Sequence, residues 1–308
     1  MRSEKIILIC LFTMLLIPSS VSAFALAPSS LDLTAERGET ISSSITILNT
    51  QENDQEYFLD LMGFRSKDDS GAPEFYSSDN GTSELTEWIL FEEDSLIVPA
   101  LSSSEVFFKV VVPDDIAAGG YFAAITVSPA PADVVATNGA IIEAKTAALV
   151  LLTVTGETNE QLELLDFVNN DDIYALPQQV FVYRVQNQGN VHVTPTGTIT
   201  LKGIFGQTIE TIDANSVDGR VLPGSTRRFE VTQDYRITSW YDTVAFQLRH
   251  LTIGPVTATL DLTYGESGSI QSSLAFLMIP WQLLITIIGL LMALCLFYRL
   301  LPHRRQGR

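Results

Sequence analysis

Cysteine is almost missing from this chain of 308 residues, and histidine is scarce. The cysteines are Cys10 and Cys295, and the histidines of residues 24–273 are His192 and His250. A zinc site needs about three or four Cys, His or acidic ligands, usually rich in Cys and His. We therefore predict no metal-binding residue, no structural disulfide and no cysteine nucleophile. Hydrophobic cores must then supply the stability of the fold.

Basic residues are also few outside the two ends of the chain. Of the 36 acidic residues all but Glu4 lie within residues 24–273, whereas only 12 of the 18 basic residues do. This region therefore carries a net charge of −23. Such a surface repels nucleic acid and anionic lipid headgroups, so we predict no nucleic-acid partner.

Two apolar runs mark the ends of the chain. Arg2 and Lys5 precede the first run, residues 6–17, which ends at Pro18 before the small-residue pattern Val21-Ser22-Ala23. This order is typical of a secretory signal, so we predict a cleaved signal peptide over residues 1–23. The second run covers residues 274–301, which is longer than the roughly 20 residues that span a bilayer.

The excess length of the second run has an explanation in its periodicity. Residues 269–279 alternate in the manner of a strand, and Pro280 suits the first position of a helix. We therefore predict a last strand over 269–279, joined without a flexible linker to a transmembrane helix over 280–300. Trp281 would lie at the membrane interface. The basic tail, residues 301–308, would be cytoplasmic, which leaves the N-terminal region outside the membrane.

Between these ends the chain shows strand periodicity and turn residues. In the segment GETISSSITILN, for example, Ile41, Ile45 and Ile47 fall on one face of a strand. About seven strands over residues 24–156 and about eight over 157–279 predict an all-β fold of two tandem Ig-like β-sandwiches. In the second half the predicted strands are 162–168, 178–186, 197–201, 208–212, 227–232, 242–248, 256–264 and 269–279. Residues 65–87 and 134–140 are predicted to be loops.

The two halves contain similar segments in the same order. TILNTQEN is similar to YRVQNQGN, VPALSSSEVFFKV to LPGSTRRFEV, and GGYFAAITVSP to GPVTATLDLTYG. This order favours two related domains and offers no shorter repeat of the kind found in solenoids.

The polar and aromatic clusters leave alternatives open. Acidic groups occur at 68–69, 92–94, 114–115 and 171–172, either as a solvated rim between strands or as calcium ligands. Phe75, Tyr76, Trp88, Tyr121 and Phe122 are either core packing or a platform that stacks on sugars. No Gly-x-Ser-x-Gly segment is present. We predict no catalytic residue, no cofactor-binding residue and no cofactor, and hence no enzyme.

The segments APSSLDLTAERGETISSSITILN and VPALSSSEVFFKVVVPDDIAAGGYFAAITV, followed by QNQGNVHVTPTGTITL, resemble WxL-interacting cell-surface proteins. The resemblance runs over most of residues 26–305 and includes Asn49, Pro99, Pro113 and Gly119-Gly120-Tyr121. It implies an Ig-like first domain linked to peptidoglycan binding, a second Ig-like domain that binds a partner, and a C-terminal membrane anchor. No binding residue carries over.

Three functional hypotheses follow. The first is a single-pass surface protein that engages cell-wall glycan or a secreted or surface protein. The second is a chaperone-like assembly factor that clamps a secreted subunit by edge-strand addition, for which residues 106–112 are the candidate strand. The third is a hydrolase of wall polymers that uses the acidic groups.

Overall fold

The computed structural model describes residues 24–77, 83–129, 145–176, 179–232 and 237–300. The predicted signal peptide, the basic tail and the loop at 134–140 lie outside these residues. Within them the fold class is confirmed: the protein is all-β, with Ig-type sandwiches and one apolar C-terminal helix.

The first ten strands form one sandwich of two sheets. They are β1 (Phe24–Ala27), β2 (Ser30–Ala35), β3 (Thr40–Asn49), β4 (Gln55–Ser66), β5 (Pro73–Tyr76), β6 (Ile89–Phe91), β7 (Ser95–Val98), β8 (Ser103–Val111), β9 (Gly119–Ser128) and β10 (Thr146–Val154). One sheet has the order β1-β3-β8-β6, and the other has β2-β10-β9-β4-β5 with β7 also paired to β4. Alternate residues such as Ile45, Ile47, Phe108 and Val110 fill the core between the sheets.

The prediction of one long loop over residues 65–87 is wrong. The described part of this segment contains β5 and a short helix, α1 (Glu84–Trp88). Leu85 and Trp88 are three residues apart, so one helical turn places both on the same face, and both are buried in the core of the first sandwich. The polar residues around them hid this pair in the sequence.

The remaining strands form the second sandwich. They are β11 (Leu162–Asn169), β12 (Ile173–Tyr174), β13 (Val180–Asn187), β14 (Thr196–Lys202), β15 (Thr208–Asp213), β16 (Thr226–Thr232), β17 (Gly254–Tyr264) and β18 (Gly268–Met278). The sheets have the orders β11-β13-β16 and β12-β18-β17-β14-β15. Among the described residues no strand pairing joins the two sandwiches. The domain boundaries at 156/157 and 279/280 stay predictions.

The predicted strand at 242–248 is wrong, because these residues lie in helix α2 (Trp240–Arg249). Ser239 caps the helix, since its hydroxyl oxygen accepts a hydrogen bond from the Asp242 backbone N–H at 3.1 Å. Val244, Phe246 and Leu248 alternate with polar or small residues, which mimics a strand over this short distance. The capping serine was the signal for a helix.

The C-terminal junction is as short as predicted. Strand β18 ends at Met278, and helix α3 (Trp281–Leu300) begins after only Ile279 and Pro280. The helix has 20 residues and is long and apolar enough to cross a membrane.

Charged residues join the two sandwiches. A carboxylate oxygen of Asp32 on β2 accepts a hydrogen bond from Arg220 Nε at 3.0 Å, and the other oxygen lies 3.0 Å from His192 Nε2. Asp69 lies 3.1 Å from Arg184 Nε, and the Gly120 N–H donates to the Asn190 carbonyl at 2.8 Å. The first sandwich therefore presents acidic groups to basic groups of the second.

Candidate functional site: an open strand edge

The candidate edge strand, residues 106–112, lies only partly at an edge. Strand β8 pairs with β3 along its whole length, from Ser103 to Val111. On its other side it pairs with β6 only at Phe108, Lys109 and Val110. The prediction is thus wrong for residues 108–110, whereas residues 103–107 have no strand beside them on that side in the described structure.

The open edge arises because the chain changes sheets. Strand β6 ends at Phe91, and the next residues, Glu92, Glu93 and Asp94, lead the chain to the opposite sheet. There β7 pairs with residues 55–58 of β4, and the Leu59 N–H donates to the Asp94 carbonyl at 2.8 Å. Beyond the end of β6, no strand of the described structure lies beside residues 103–107 of β8.

A groove of about 190 Å³ lies at this open edge. Apolar side chains from both sheets line it, and carboxylates line it as well. The lining residues are Leu59, Glu92, Glu93, Ser95, Leu96, Glu105, Val106 and Phe107. We call this feature the β8 groove. Its mixture of apolar and acidic groups suits a ligand that has apolar and basic side chains.

An exposed aromatic ring stands beside the groove. Strand β8 alternates strictly, with Val106 buried in the core and Phe107 on the outer face, where 61% of its surface is exposed. Leu90 on β6 is also exposed on this sheet, opposite Lys109 in the register. Large exposed apolar groups next to an unpaired edge are the features that natural sheets usually suppress, so this edge is suited to pairing.

The charge of the β8 groove is negative. Glu105 accepts a hydrogen bond from the Ser44 hydroxyl at 2.5 Å, and Glu92 lies 3.8 Å from Lys109 Nζ. Lys109 offsets the charge of Glu92, whereas Glu93 and Glu105 add two further carboxylates to the lining of the groove. The groove attracts cationic side chains through this imbalance.

A second half-open edge has a different character. Strand β1 covers only residues 46–49 of β3, so residues 40–45 lack a neighbouring strand on that side in the described structure. This stretch, Thr-Ile-Ser-Ser-Ser-Ile, exposes mainly hydroxyl groups, and Ile45 is buried in the core. It offers little apolar surface, and we therefore place the candidate site at β8.

The candidate aromatic platform is not formed. Trp88 packs on Tyr121 with ring centroids 4.7 Å apart, and Phe122 packs on Phe64 at 6.1 Å. Phe75 also contacts Phe64, at 6.5 Å, and the Tyr76 ring lies over Gly63. The packing interpretation is correct for four of these five aromatics, whereas Phe75 is 39% exposed, and none of the five lines the β8 groove.

The acidic groups are spread over the molecule. Asp69 faces the second sandwich, Glu92 lines the β8 groove, and Asp172 lies next to the strand pair β12–β18. Within the described ranges no group of three His, Cys, Asp or Glu side chains is placed to hold a metal ion. His192 lies at the contact between the sandwiches and His250 stacks on Phe246.

Comparison with known proteins identifies no family. No family model and no curated protein matches the chain. Among solved structures, the class 5 fimbriae chaperone CfaA is 14% identical, with 84% of this chain and 100% of that chain covered and a TM-score of 0.39. The Pseudomonas aeruginosa CupB2 chaperone is 10% identical over 81% and 98% of the two chains, with a TM-score of 0.36.

A chain from the Salmonella enterica SafA pilin in complex with the SafB chaperone is 9% identical, over 84% of this chain and 98% of that one, with a TM-score of 0.38. Because these TM-scores lie below 0.5, the likenesses carry no functional conclusion. The function has to be inferred from the residues of the chain itself.

Proposed function

We propose that the chain is a membrane-anchored extracytoplasmic binding protein that receives an extended segment of a secreted or surface protein in the β8 groove. The observation that carries this proposal is the edge of β8 at residues 103–107, beside which the described residues form no strand. A segment beside that edge would extend the sheet by backbone hydrogen bonds, as in other cases of strand addition. The function is binding, and no catalytic step is part of it.

The lining of the groove defines the chemistry of the partner segment. Alternate side chains of an added strand face opposite sides of the sheet. One set would pack on Leu59, Leu96 and Val106, and the other set would lie beside Phe107 on the outer face. Glu92, Glu93 and Glu105 favour lysine or arginine at the ends of the segment. The partner segment is therefore extended, apolar in alternation and basic.

The anchor is α3, and the orientation follows from charge. Arg299 lies in the last turn of the helix and more arginines follow it in the sequence, whereas the region before the helix is strongly acidic. Basic residues stay on the cytoplasmic side, so both sandwiches would lie outside the membrane. Protease added to intact cells should digest the sandwiches and leave a C-terminal tag protected.

Two other hypotheses have less support. Binding of wall glycan by aromatic stacking would need a platform of exposed rings, but of the five candidate aromatics only Phe75 is exposed, and its ring also contacts Phe64. Hydrolysis could use the carboxylates of Glu92 and Glu93, but the alternating apolar lining of the β8 groove and the open edge of β8 favour an extended segment there. The acidic groups at 68–69 and 171–172 lie apart from this groove.

Titration with a synthetic peptide tests the groove. The probe is a peptide of alternating valine and lysine, and the control peptide replaces each lysine with glutamate. The full-length protein in detergent should bind the basic peptide by fluorescence anisotropy, and binding should slow hydrogen exchange in residues 103–107. Exchange slows because strand addition protects the backbone N–H groups of this edge.

Substitutions locate the binding. Glu105→Lys and Phe107→Ser should each lower the affinity for the basic peptide several-fold. Glu105→Lys reverses a charge of the groove, and Phe107→Ser removes an exposed ring. Val111→Ser is the matched control, since Val111 is also an exposed apolar residue of β8 but lies outside the groove. Equal affinity in all three variants, with no protection of residues 103–107, would refute the proposal.

A further inference from the structure

Exposed apolar side chains of the second sandwich gather at the end where α3 begins. They come from β12, from a hairpin tip, from α2 and from the segment after α2. We call them the seating surface: Ile173, Ile204, Phe205, Trp240, Tyr241, Leu248, Leu251 and Ile253. Phe205 is 90% exposed and Tyr241 is 78% exposed, and several large exposed apolar side chains at one end of a domain mark an interaction surface.

The strand register places the hairpin tip at this end. Lys202 of β14 pairs with Thr257, and Thr257 pairs with Ala275 of β18. Ala275 precedes Met278, the last residue of β18, by three residues, or about 10 Å of strand. The turn at residues 203–207 continues beyond Lys202 in the same direction. Its tip, Ile204 and Phe205, therefore points towards the start of α3, in a turn where polar residues are usual.

Helix α2 adds an apolar face. Trp240, Val244 and Leu248 are spaced by four residues and share one side of the helix with Tyr241. Asp242 and Arg249 lie on the opposite side. Leu251 and Ile253 follow the helix directly and are both more than half exposed. One exposed side of α2 is thus apolar, whereas Asp242 and Arg249 are exposed on the other side.

Hydrogen bonds hold α2 against the first turns of α3. Gln247 is buried; its Oε1 accepts from the Leu283 N–H at 2.9 Å, and its Nε2 donates to Gln282 at 2.6 Å. Trp240 Nε1 donates to the Thr286 hydroxyl at 3.2 Å, and the Trp240 ring meets Trp281 at 5.6 Å. Thr286 lies five residues into α3, or about 7 Å along its axis. The N-terminus of α2 is therefore level with residues inside the proposed span.

We infer that the seating surface is inserted into the outer boundary of the bilayer that α3 crosses. This inference rests on the anchoring role of α3 in the proposed function. We assign the bilayer as the partner of the seating surface because α2 is hydrogen-bonded to the first turns of α3. If α3 crosses the membrane, lipid must surround these turns and therefore also reaches the seating surface. Its depth suits Trp and Tyr, which favour the interface between headgroups and acyl chains. The elements that carry the surface have few basic residues, so the contact is apolar and needs no anionic lipid.

The seating surface fixes the orientation of the exported part. A helix anchor alone would let the sandwiches tilt about Pro280, whereas contacts at the hairpin tip and α2 hold the second sandwich against the membrane. The first sandwich, with the β8 groove, is then held away from the bilayer through the contact of Asp32 with Arg220 and His192.

Site-specific labelling tests the inference in the full-length protein. Cys295 is the one cysteine after residue 23, so Cys295→Ser gives a background for single labels. An environment-sensitive dye is attached to Phe205→Cys or Leu248→Cys in vesicles of phosphatidylcholine. The lipid carries a nitroxide quencher close to the headgroup. Both labels should lose more than half of their emission, because the quencher lies at the depth of the seating surface. Phe205 and Leu248 are both exposed, so their replacement should not prevent folding.

Two further labels separate the outcomes. Val217→Cys is the matched control, because Val217 is 76% exposed but follows β15 at the opposite end of the sheet, and its emission should not change. Leu291→Cys reports insertion of α3 and should respond to a quencher deep in the acyl chains. If Leu291 is quenched while Phe205 and Leu248 behave as Val217 does, the seating surface is refuted and the anchor stands. If Leu291 is not quenched, the anchor itself fails.

The alternative partner for the seating surface is a second copy of the chain. In that case the dyes at Phe205 and Leu248 would be shielded without lipid quenching, and the shielding would fall as the protein is diluted in lipid. That result would also overturn the inference.

Discussion

Two buried asparagines perform the same task in the two sandwiches. Asn49 ends β3 and Asn187 ends β13, and the side chain of each is fully buried. The Oδ1 of each accepts from the backbone N–H two residues later, that of Gln51 or Gly189. The repeated geometry gives the internal sequence similarity a physical basis.

The Nδ2 of each asparagine donates to two kinds of backbone carbonyl. One is four residues later, on Asn53 or Val191, and the other is far along the chain, on Val98 or Val221. Each asparagine thus ties a strand end to a distant segment. Such a residue is needed because the bonds to the Val98, Val191 and Val221 carbonyls are buried, where water cannot replace the donor.

Replacement of these asparagines should destabilise the protein. Asn187→Ala leaves the Val191 and Val221 carbonyls without this donor, and each buried polar group that loses its partner costs about 1–3 kcal/mol. We expect a loss of about 2–4 kcal/mol in the free energy of unfolding for Asn49→Ala and for Asn187→Ala. Urea unfolding of the full chain in detergent measures it. Asn53→Ala is the control, because the Asn53 side chain bonds only at the surface. A loss below about 0.5 kcal/mol, the usual size for surface changes, would contradict this role.

At the scale of single elements, a side chain of α2 caps α3. The Leu283 N–H belongs to the first turn of α3, where the helix has no internal acceptor for it. The Oε1 of Gln247, 36 residues earlier in the chain, supplies the acceptor. The Nε2 of Gln247 also donates to the Ala175 carbonyl at 3.0 Å. The alternation of residues 242–248 predicted a strand for Gln247, so this tertiary cap had no counterpart in the sequence pattern.

Gln247→Ala should release α2 from α3. The lost cap and the lost bonds to Ala175 and Gln282 should weaken the docking by about 1–2 kcal/mol, which corresponds to roughly tenfold faster amide exchange. Hydrogen exchange should increase in residues 240–249 and at Leu283, while β17 and β18 stay unchanged. The control is Gln271→Ala, since Gln271 bonds Asp261 on the exposed face of the sheet. Unchanged exchange in α2 would show that the capping bond does not hold it.

Strand edges show the same dependence on tertiary structure. The sequence predicts a strand around residues 106–112, and β8 is there. Its alternating pattern specifies which side chains enter the core, but it does not specify which backbone edge is covered. That edge depends on where β6 stops, at Phe91, and on the path of residues 92–94.

At the scale of the whole molecule, a histidine lies at the joint between the sandwiches. His192 is 11% exposed, contacts Asp32, and packs on the Phe122 ring at 5.8 Å. Burial lowers the pKa of His192 below its usual value of 6.5, and the neighbouring Arg220 lowers it further, although Asp32 and Glu160 oppose this shift. The neutral imidazole is therefore favoured in the folded protein.

This lowered pKa predicts a pH-dependent joint. The unfolded chain binds a proton on this ring at a higher pH than the folded chain does. The stabilising contribution is thus complete above pH 6.5 and is lost as the pH falls towards the lowered pKa. Thermal unfolding between about pH 8 and about pH 5 should show a steeper loss of stability in the native chain than in His192→Gln. His250→Gln is the control, because His250 lies at the end of α2, away from the joint. Parallel curves for the native chain and His192→Gln would exclude the effect.

The sequence by itself determined the all-β class, most strands of both sandwiches, and the strand–proline–helix junction at residues 278–281. These features follow from periodicities of two and 3.6 residues, and from proline, which are local properties of the chain. Helix α2 was missed, because apolar residues at every second position suit a short helix as well as a strand.

Only the tertiary structure decided where the β8 groove, the seating surface and the joint at Asp32 lie. Each of these features brings together residues that are far apart in sequence, such as Leu59 with Phe107, Trp240 with Thr286, and Asp32 with His192 and Arg220. Periodicity assigns a residue to a face of its own strand or helix. The neighbour of that face is set by packing between elements, which no local pattern encodes.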